Sequence, residues 1–204
     1  MTKWKGEAAS YAPHVVGLFS SAARKIAGKF LPLALLAGLA ASPAPAADLY
    51  WDVNSTSLNR GGTGTWNLSG SVWSASNDGV SGPYSAWNNG ALDDAFFGGL
   101  AGTVTLGVPI TVHDMTFEVS GYTITGNTLT LGGVDPTLTV TTGSSTIAST
   151  INGTGRVIKA GAGSLVLSGN NSFTGGLTVS AGTLSLTGNN SFGSSPVITG
   201  GASR

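Results

Sequence analysis

Cysteine is absent from this chain of 204 residues, so disulfide bonds and thiolate chemistry are excluded. Ionisable side chains are also scarce. Asp, Glu, Lys and Arg together make up 9% of the residues, and histidine occurs only as His14 and His113. Catalytic and metal sites are built from such side chains, so few combinations could form one. The sequence therefore predicts no catalytic residue, no cofactor and no metal site.

The few charges are unevenly distributed along the chain. Five of the nine cations precede residue 47, and the remainder holds four cations against eight acids, a net charge of about −4. A nucleic-acid interface needs a basic patch, which this remainder does not have. We therefore expect no nucleic-acid partner.

The first 46 residues have the pattern of a helical signal peptide. A positive flank at residues 24–29 precedes an apolar run from Phe30 to Ala41, and Ala44-x-Ala46 supplies a signal-peptidase site. The alternative is a membrane anchor, which needs about 20 apolar residues and is therefore longer than this run. Residues 1–46 thus predict export, with no stable membrane span once the signal is removed.

Glycine is abundant, at 32 residues, and a short repeat uses it at its corners. The segment Gly163–Phe173 returns as Gly182–Phe192, an offset of 19 residues with 8 of 11 positions identical. A fixed period near 20 is typical of a solenoid. Leu165 and Leu167 alternate with polar residues, which indicates a strand, and Gly169-Asn170-Asn171 has turn chemistry. The repeat predicts an all-β fold, a right-handed parallel β-helix (β-solenoid).

Similar strand patterns begin upstream of the repeat, so we assign residues 102–204 to the solenoid. Predicted strands include 103–106, 110–112, 115–119, 122–124, 128–131 and 137–140. At about 20 residues per turn, residues 47–204 would form about seven or eight turns. With strands about 4.8 Å apart, the stack would be about 35 Å long. An uncovered last turn near Val197-Ile198 predicts self-association through its edge.

Residues 47–101 contain most of the tryptophan, at Trp51, Trp66, Trp73 and Trp87. One interpretation is a cap, because large aromatic side chains can cover the open end of a solenoid. The other is a platform on which sugar rings stack. No alternating spacing puts the four on one face, which favours the cap.

Three combinations of residues resemble sites, and none is predicted to be one. Gly61–Trp66 begins like the calcium nonapeptide, but Trp66 replaces the Asp ligand. The adjacent acids Asp93-Asp94 are weak evidence for a metal without further oxygen ligands. The set His113, Asp114 and Ser120 would need an unusual turn to act together, because neighbouring strand residues point to opposite faces.

Residues 153–184 carry the pattern G-x-G-x-V-x-K-x-G-x-G-x-L-x-L-S-G-N-N-x-F-T-G-G-x-T-V-x-A-G-T-L. This pattern resembles the autotransporter-associated β-strand repeat, found in the passenger regions of Gram-negative autotransporters. Segments 62–66, 87–90, 96–99, 102–106 and 121–124 are similar to the usual lead-in of such passengers. The resemblance implies export and then an outer-membrane β-barrel on the same polypeptide. The sequence up to Arg204 contains no barrel pattern, so we expect a fragment of a longer passenger or a truncated relative.

Three functions are compatible with these features. The favoured hypothesis is an exported, passenger-type β-solenoid with a structural or adhesive role outside the cell or at its surface, or in the periplasm if no barrel is present. Its expected partners are a host or neighbouring-cell surface, or a glycan. The second is a glycan-binding module that uses the N-terminal tryptophans. The third, a carbohydrate-active β-helix enzyme, needs paired carboxylates, and the repeat units contain no acid. The sequence therefore predicts that the protein is not an enzyme.

Overall fold

The structure is a computed structural model that describes residues 46–54, 60–193 and 197–203, with backbone only for 201–203. Every regular element in these ranges is a β-strand. The described ranges therefore contain no helix of the length and apolar character needed to cross a membrane. The predicted signal peptide lies outside the described residues, apart from Ala46.

The strands fall into an N-terminal group, five complete turns of three strands each, and one further strand. The N-terminal group is β1 (Asp48–Trp51), β2 (Gly64–Trp66), β3 (Trp73–Ser74), β4 (Tyr84–Ser85) and β5 (Asp94–Phe97). Turns 1 and 2 are β6 (Thr103–Leu106), β7 (Ile110–Val112), β8 (Met115–Phe117), β9 (Thr123–Gly126), β10 (Leu129–Leu131) and β11 (Thr137–Val140). Turns 3 and 4 are β12 (Ser144–Ile147), β13 (Ile151–Gly153), β14 (Val157–Ala160), β15 (Ser164–Leu167), β16 (Asn171–Phe173) and β17 (Leu177–Val179). Turn 5 is β18 (Gly182–Leu186), β19 (Asn190–Ser191) and β20 (Val197–Ile198), and β21 (Gly201–Ser203) follows it.

Corresponding strands of successive turns pair in parallel and build three sheets. Sheet 1 has the order β2-β6-β9-β12-β15-β18-β21, sheet 2 the order β7-β10-β13-β16-β19, and sheet 3 the order β4-β3-β1-β5-β8-β11-β14-β17-β20. Leu165 lies beside Leu184 in sheet 1, so the two copies of the sequence repeat occupy neighbouring turns. The predicted parallel β-solenoid is confirmed.

The strands form where apolar residues alternate with Thr or Ser, because that alternation gives each strand one dry face and one wet face. Predicted strands 103–106, 110–112 and 137–140 agree with β6, β7 and β11. β8 ends at Phe117, two residues before its predicted end. The alternation therefore locates strands to within a few residues.

The interior consists of columns of aliphatic side chains. In sheet 1, one column runs through Val104, Ile124, Ile147 and Leu167, which are in register and at most 1% exposed. Each such side chain contributes about 1.5–3 kcal/mol relative to an exposed one. Because each turn stacks its apolar residues on those of the turn before, the core continues without a break along sheet 1.

The number of turns was predicted wrongly. The seven or eight expected turns are five complete ones within the described residues. Residues 47–101 do not coil at the repeat's period. In this segment, β1, β2 and β5 extend the parallel sheets, whereas β3 pairs antiparallel with β1, and β4 pairs antiparallel with β3.

Glycine is required where one turn approaches the next closely. Gly182 has a φ of +68°, a conformation that disfavours other residues, and a Cβ there would lie 2.3 Å from the carbonyl oxygen of Gly163. Gly163 occupies the same position in the previous turn, and it is also constrained by space. A Cβ at Gly163 would lie 2.6 Å from a methyl carbon of Val140.

Candidate functional site

The aromatic residues of the N-terminal group form a cluster in the core. Trp51, Trp66 and Trp73 are fully buried and Trp87 is 2% exposed. Trp73 is at the centre, with its ring centroid 5.3 Å from that of Trp51, 4.7 Å from that of Trp66 and 4.7 Å from that of Trp87. Phe97 continues the cluster into turn 1, where it stacks on Phe117 at 5.2 Å. We call Trp51, Trp66, Trp73, Trp87 and Phe97 the aromatic cap.

The burial of the aromatic cap bears on the two interpretations of the tryptophans. A sugar ring stacks on an exposed aromatic face, and the four indoles have none. The burial therefore leaves no indole face on which a sugar could stack and favours the cap, which stays a prediction. Two indole nitrogens of the aromatic cap also form hydrogen bonds with the backbone. Trp51 Nε1 donates to the carbonyl of Gly62 at 2.9 Å, and Trp87 Nε1 donates to the carbonyl of Thr111 at 2.8 Å.

The antiparallel strands cover the first edge of sheet 3. β3 lies against β1, and β4 against β3, outside the parallel stack. Tyr84 in β4 donates a hydrogen bond of 2.7 Å to Oδ2 of the buried Asp52. Burial, together with this bond to the carboxylate, raises the pKa of Tyr84 to about 12. A sheet edge that other chains could pair with is thus covered within the chain.

The segment that resembles a calcium nonapeptide has a structural role. Gly61 makes bridges to Asp52 and Leu100, and Trp66 belongs to the aromatic cap. The hydroxyl of Tyr122 donates to the carbonyls of Gly98 and Leu100, on the chain that passes beside Gly61. The position that an Asp ligand would occupy therefore holds a core indole.

Asp94 and the pair His113-Asp114 meet at the corner between sheets 2 and 3. His113 Nδ1 lies 2.9 Å from Oδ1 of Asp94 and 3.5 Å from Oδ1 of Asp114. The three side chains are about one-fifth to one-third exposed. Burial is the main cause that raises the pKa of Asp114, with the charge of Asp94 a smaller one. The sequence showed two separate fragments of this cluster, and the register of the turns brings them together.

Ser120 does not join that cluster. Its hydroxyl donates to the carbonyl of Ser144 at 3.2 Å and accepts from the Ser144 amide at 3.0 Å. β8 separates it from His113, and a strand of three residues spans about 10 Å. The structure therefore places His113 with Asp114 but not with Ser120.

A second unusual group lies inside the solenoid. Lys159 occupies the inner column of sheet 3 between Leu138 and Val179, and it is fully buried. Its Nζ donates to the carbonyls of Ala160, Gly161 and Ala181 at 2.6–3.2 Å. Burial lowers the pKa of Lys159 to about 8. Sequence alternation places Lys159 on the inner face, but the carbonyls that receive its bonds are visible only in the fold.

The outer faces carry columns of uncharged polar side chains. In sheet 2, one column passes through all five turns, and its in-register members are Thr111, Thr130, Asn152, Ser172 and Ser191. We call this set the polar column. At the far end of sheet 3, Val197 and Ile198 are 54% and 47% exposed. The predicted self-association through this turn stays a prediction.

The fold and its repeats define a parallel β-solenoid. The passenger-associated-transport-repeat family matches residues 157–186, which span β14 to β18. The predicted resemblance to autotransporter passenger repeats is confirmed by this match.

The chain is also similar to a curated protein, the adhesin BmaC autotransporter of Brucella suis biovar 1 (strain 1330). The two are 54% identical over 180 residues, which cover 88% of this chain. The chain spans 5% of the length of that relative. No solved structure matches the chain significantly.

Proposed function

We propose that this chain is an exported, passenger-type β-solenoid that serves as a structural and adhesive segment at the cell surface. The observation that carries the proposal is the in-register stack of five turns, in a chain that is 54% identical over 180 residues to part of an autotransporter adhesin. Each stacked turn packs only against the turns beside it. Such a segment can therefore be lengthened by adding turns, and it needs no separate globular core.

The outer surface supports a contact role rather than catalysis. The polar column offers hydroxyl and amide groups in register and without charge. Three of its members, Asn152, Ser172 and Ser191, are exposed. The expected partner is a host or neighbouring-cell surface, which such groups would bind through hydrogen bonds. The hydroxyl of Ser120 bonds to the backbone of Ser144 rather than to His113, which supports the contact role.

Adhesion can be tested with beads coated with the folded full chain. We expect these beads to bind host cells or neighbouring bacteria severalfold better than beads coated with an unrelated protein. Replacing Thr130, Asn152 and Ser172 with Ala should reduce binding. A matched triple variant on sheet 1, with Thr103, Thr123 and Thr146 replaced by Ala, should retain it. Equal binding by the two bead types would overturn the adhesive role.

Export can be tested separately. The full chain expressed in a Gram-negative host should be recovered outside the inner membrane, and its first residue should be Ala47 if cleavage follows Ala46. Recovery of the uncleaved chain in the cytoplasm would contradict the export proposal.

A further inference from the structure

The corner at Asp94 holds carboxylates that the parallel register forces together. Asp48 pairs with Asp94 in sheet 3. Ala95 pairs with Met115, so Asp94 lies beside Asp114 in the next turn. Like charges directly opposite each other in a sheet are destabilising. The adjacent strands β1, β5 and β8 therefore place three acids in one column at this corner.

No basic side chain of the described part of the chain neutralises this column. Arg60 pairs with Glu118, Arg156 pairs with Asp135, and Lys159 donates to backbone carbonyls inside the core. The group that does approach the column is the imidazole of His113. Its ring is an electron-pair donor to metals, as are the carboxylates.

The ring of His113 is held with Nδ1 toward the acids. On its other side, a Cβ added at Gly133 would lie 2.6 Å from Cδ2 and 3.0 Å from Nε2 of this ring. The backbone at Gly133 therefore packs against the Nε2 side of the ring. Nδ1 is left facing Asp94 and Asp114.

The carboxylates are oriented by backbone amides. Oδ1 of Asp94 accepts from the amide of Asp114 at 3.1 Å, and Oδ1 of Asp114 accepts from the amide of Thr137 at 2.7 Å. A carboxylate oxygen has a second lone pair, and each group has a second oxygen. Hydrogen bonds of this kind orient metal ligands in known sites.

We propose that His113 Nδ1 and the carboxylates of Asp94 and Asp114 bind one divalent transition-metal ion, with Zn²⁺ as the best fit. One atom from each of the three residues lies within 4.8 Å of the other two. Tetrahedral bonds of about 2.0–2.2 Å to Zn²⁺ separate neighbouring ligand atoms by about 3.3–3.6 Å. The distance from His113 Nδ1 to Oδ1 of Asp114, 3.5 Å, lies in that range. Nδ1 and Oδ1 of Asp94 are at the hydrogen-bond distance of 2.9 Å, so the ion would replace that bond and move the two atoms apart by about 0.4 Å.

The mixed nitrogen and oxygen ligands select the kind of ion. Imidazole suits Zn²⁺ and its neighbours in the first transition row, whereas Ca²⁺ and Mg²⁺ prefer oxygen ligands alone. This inference departs from the sequence analysis, in which Asp93-Asp94 and His113-Asp114 were separate and no metal site was predicted. A bound divalent ion would offset two of the three negative charges of the column and link β5 of the N-terminal group to turn 1.

The test uses the full chain, stripped with a chelator and titrated calorimetrically with Zn²⁺. We expect saturable binding, with an affinity lowered about tenfold or more in His113→Gln and in Asp94→Asn. The matched control is Asp135→Asn, which removes an acid from the next turn outside the cluster. Its affinity should equal that of the unaltered chain. No saturable binding, or equal affinity in all four proteins, would overturn the proposal.

A second measurement does not depend on the variants' folding. Mn²⁺ added to the unaltered chain should broaden the nuclear magnetic resonance lines of the His113 ring before those of His14. Broadening of His14 alone, or of neither ring, would also overturn the site. Ca²⁺ binding as tight as Zn²⁺ binding and insensitive to His113→Gln would contradict the nitrogen ligand.

Discussion

The two ends of the described solenoid fill their interiors in different ways. At the N-terminal end, four indoles and Phe97 pack at varied angles around one another and no element repeats. In turns 4 and 5, identical residues stack in register, as Leu165 on Leu184 and Asn171 on Asn190. A large irregular cluster closes an end once, whereas a small repeated unit can be added turn after turn. The difference shows that covering an end and extending a solenoid need different residues.

The largest effect should come from truncating the centre of the aromatic cap. Trp73→Ala removes ring contacts to Trp51, Trp66, Trp87 and Phe97, and should lower the free energy of unfolding by about 3–5 kcal/mol. Chemical denaturation of the full chain, followed by circular dichroism, measures the change.

Trp73→Phe is the matched control for that truncation. The indole nitrogen of Trp73 has no hydrogen-bond partner among the described residues, so Phe keeps most of the burial and leaves no bond broken. Its cost should be clearly smaller than that of Ala. Equal costs, or a loss below about 1 kcal/mol in Trp73→Ala, would show that the aromatic cap does not hold the N-terminal end.

In the repeat, an intermediate effect is expected at Asn171 and Asn190, which occupy the same position in neighbouring turns and which we call the asparagine ladder. The amide of the buried Asn171 accepts from the backbone of Ile151 at 2.9 Å and donates to Asn190 at 2.7 Å and to Gly169 at 3.0 Å. Asn171→Ala leaves the Ile151 amide without this acceptor in the core, which should cost about 1–3 kcal/mol.

The neighbouring Asn170 is exposed and serves as the control for this ladder. Asn170→Ala removes one solvent-exposed hydrogen bond, which the Asn189 amide donates to Asn170 Oδ1 at 3.1 Å, and should change the free energy of unfolding by no more than about 0.5 kcal/mol. The same denaturation experiment measures both variants. If Asn170→Ala destabilises the protein as much as Asn171→Ala does, the result would contradict the assignment of the buried Asn171 to the asparagine ladder.

The smallest effect is a dependence of stability on pH that comes from Lys159. Burial lowers its pKa from 10.5 to about 8. Between these values the unfolded amine binds more protons than the folded one, so the free energy of unfolding should rise with pH. Tyr122, whose pKa burial raises to about 12, acts in the opposite direction but only above about pH 10.

The Lys159 contribution is therefore measured between about pH 7.5 and 9, where a tyrosine with the ordinary pKa of about 10 stays mostly protonated. Stability of the full chain should rise across this window, and the rise should be absent in Lys159→Met. A flat or falling profile in the unaltered chain, or the same slope in both proteins, would contradict the burial of a charged amine.

The fold was predictable from the sequence because the patterns that specify it lie within short segments of the chain. Alternation of Thr with Leu, Ile or Val marks each strand, and the 19-residue repeat sets Leu165 beside Leu184. The number of turns was not predictable, because the period of about 20 residues applies only to segments in which Thr alternates with Leu, Ile or Val. Residues 67–94 use antiparallel strands and aromatic packing, which no spacing in the sequence reveals.

The candidate site depends on contacts between turns, which the sequence alone does not specify. Asp94 and His113 are 19 residues apart, and a slip of one residue in register would move one side chain to the opposite face. The burial of the tryptophans likewise depends on packing between strands. The sequence identifies these residues as candidates, whereas their burial and contacts are seen only in the structure.

The register of the two repeat copies is the claim on which the account depends, and an engineered disulfide tests it directly. The chain has no native cysteine, and Val166 lies opposite Ser185 on the outer face of sheet 1. Val166→Cys with Ser185→Cys places two Cα atoms about 4.8 Å apart, within the range for a disulfide. Ser164→Cys with Ser185→Cys, shifted by two residues, leaves them about 8 Å apart. We predict rapid oxidation of the first pair and little of the second, whereas equal oxidation of both pairs, or none in the first, would contradict the stacked turns.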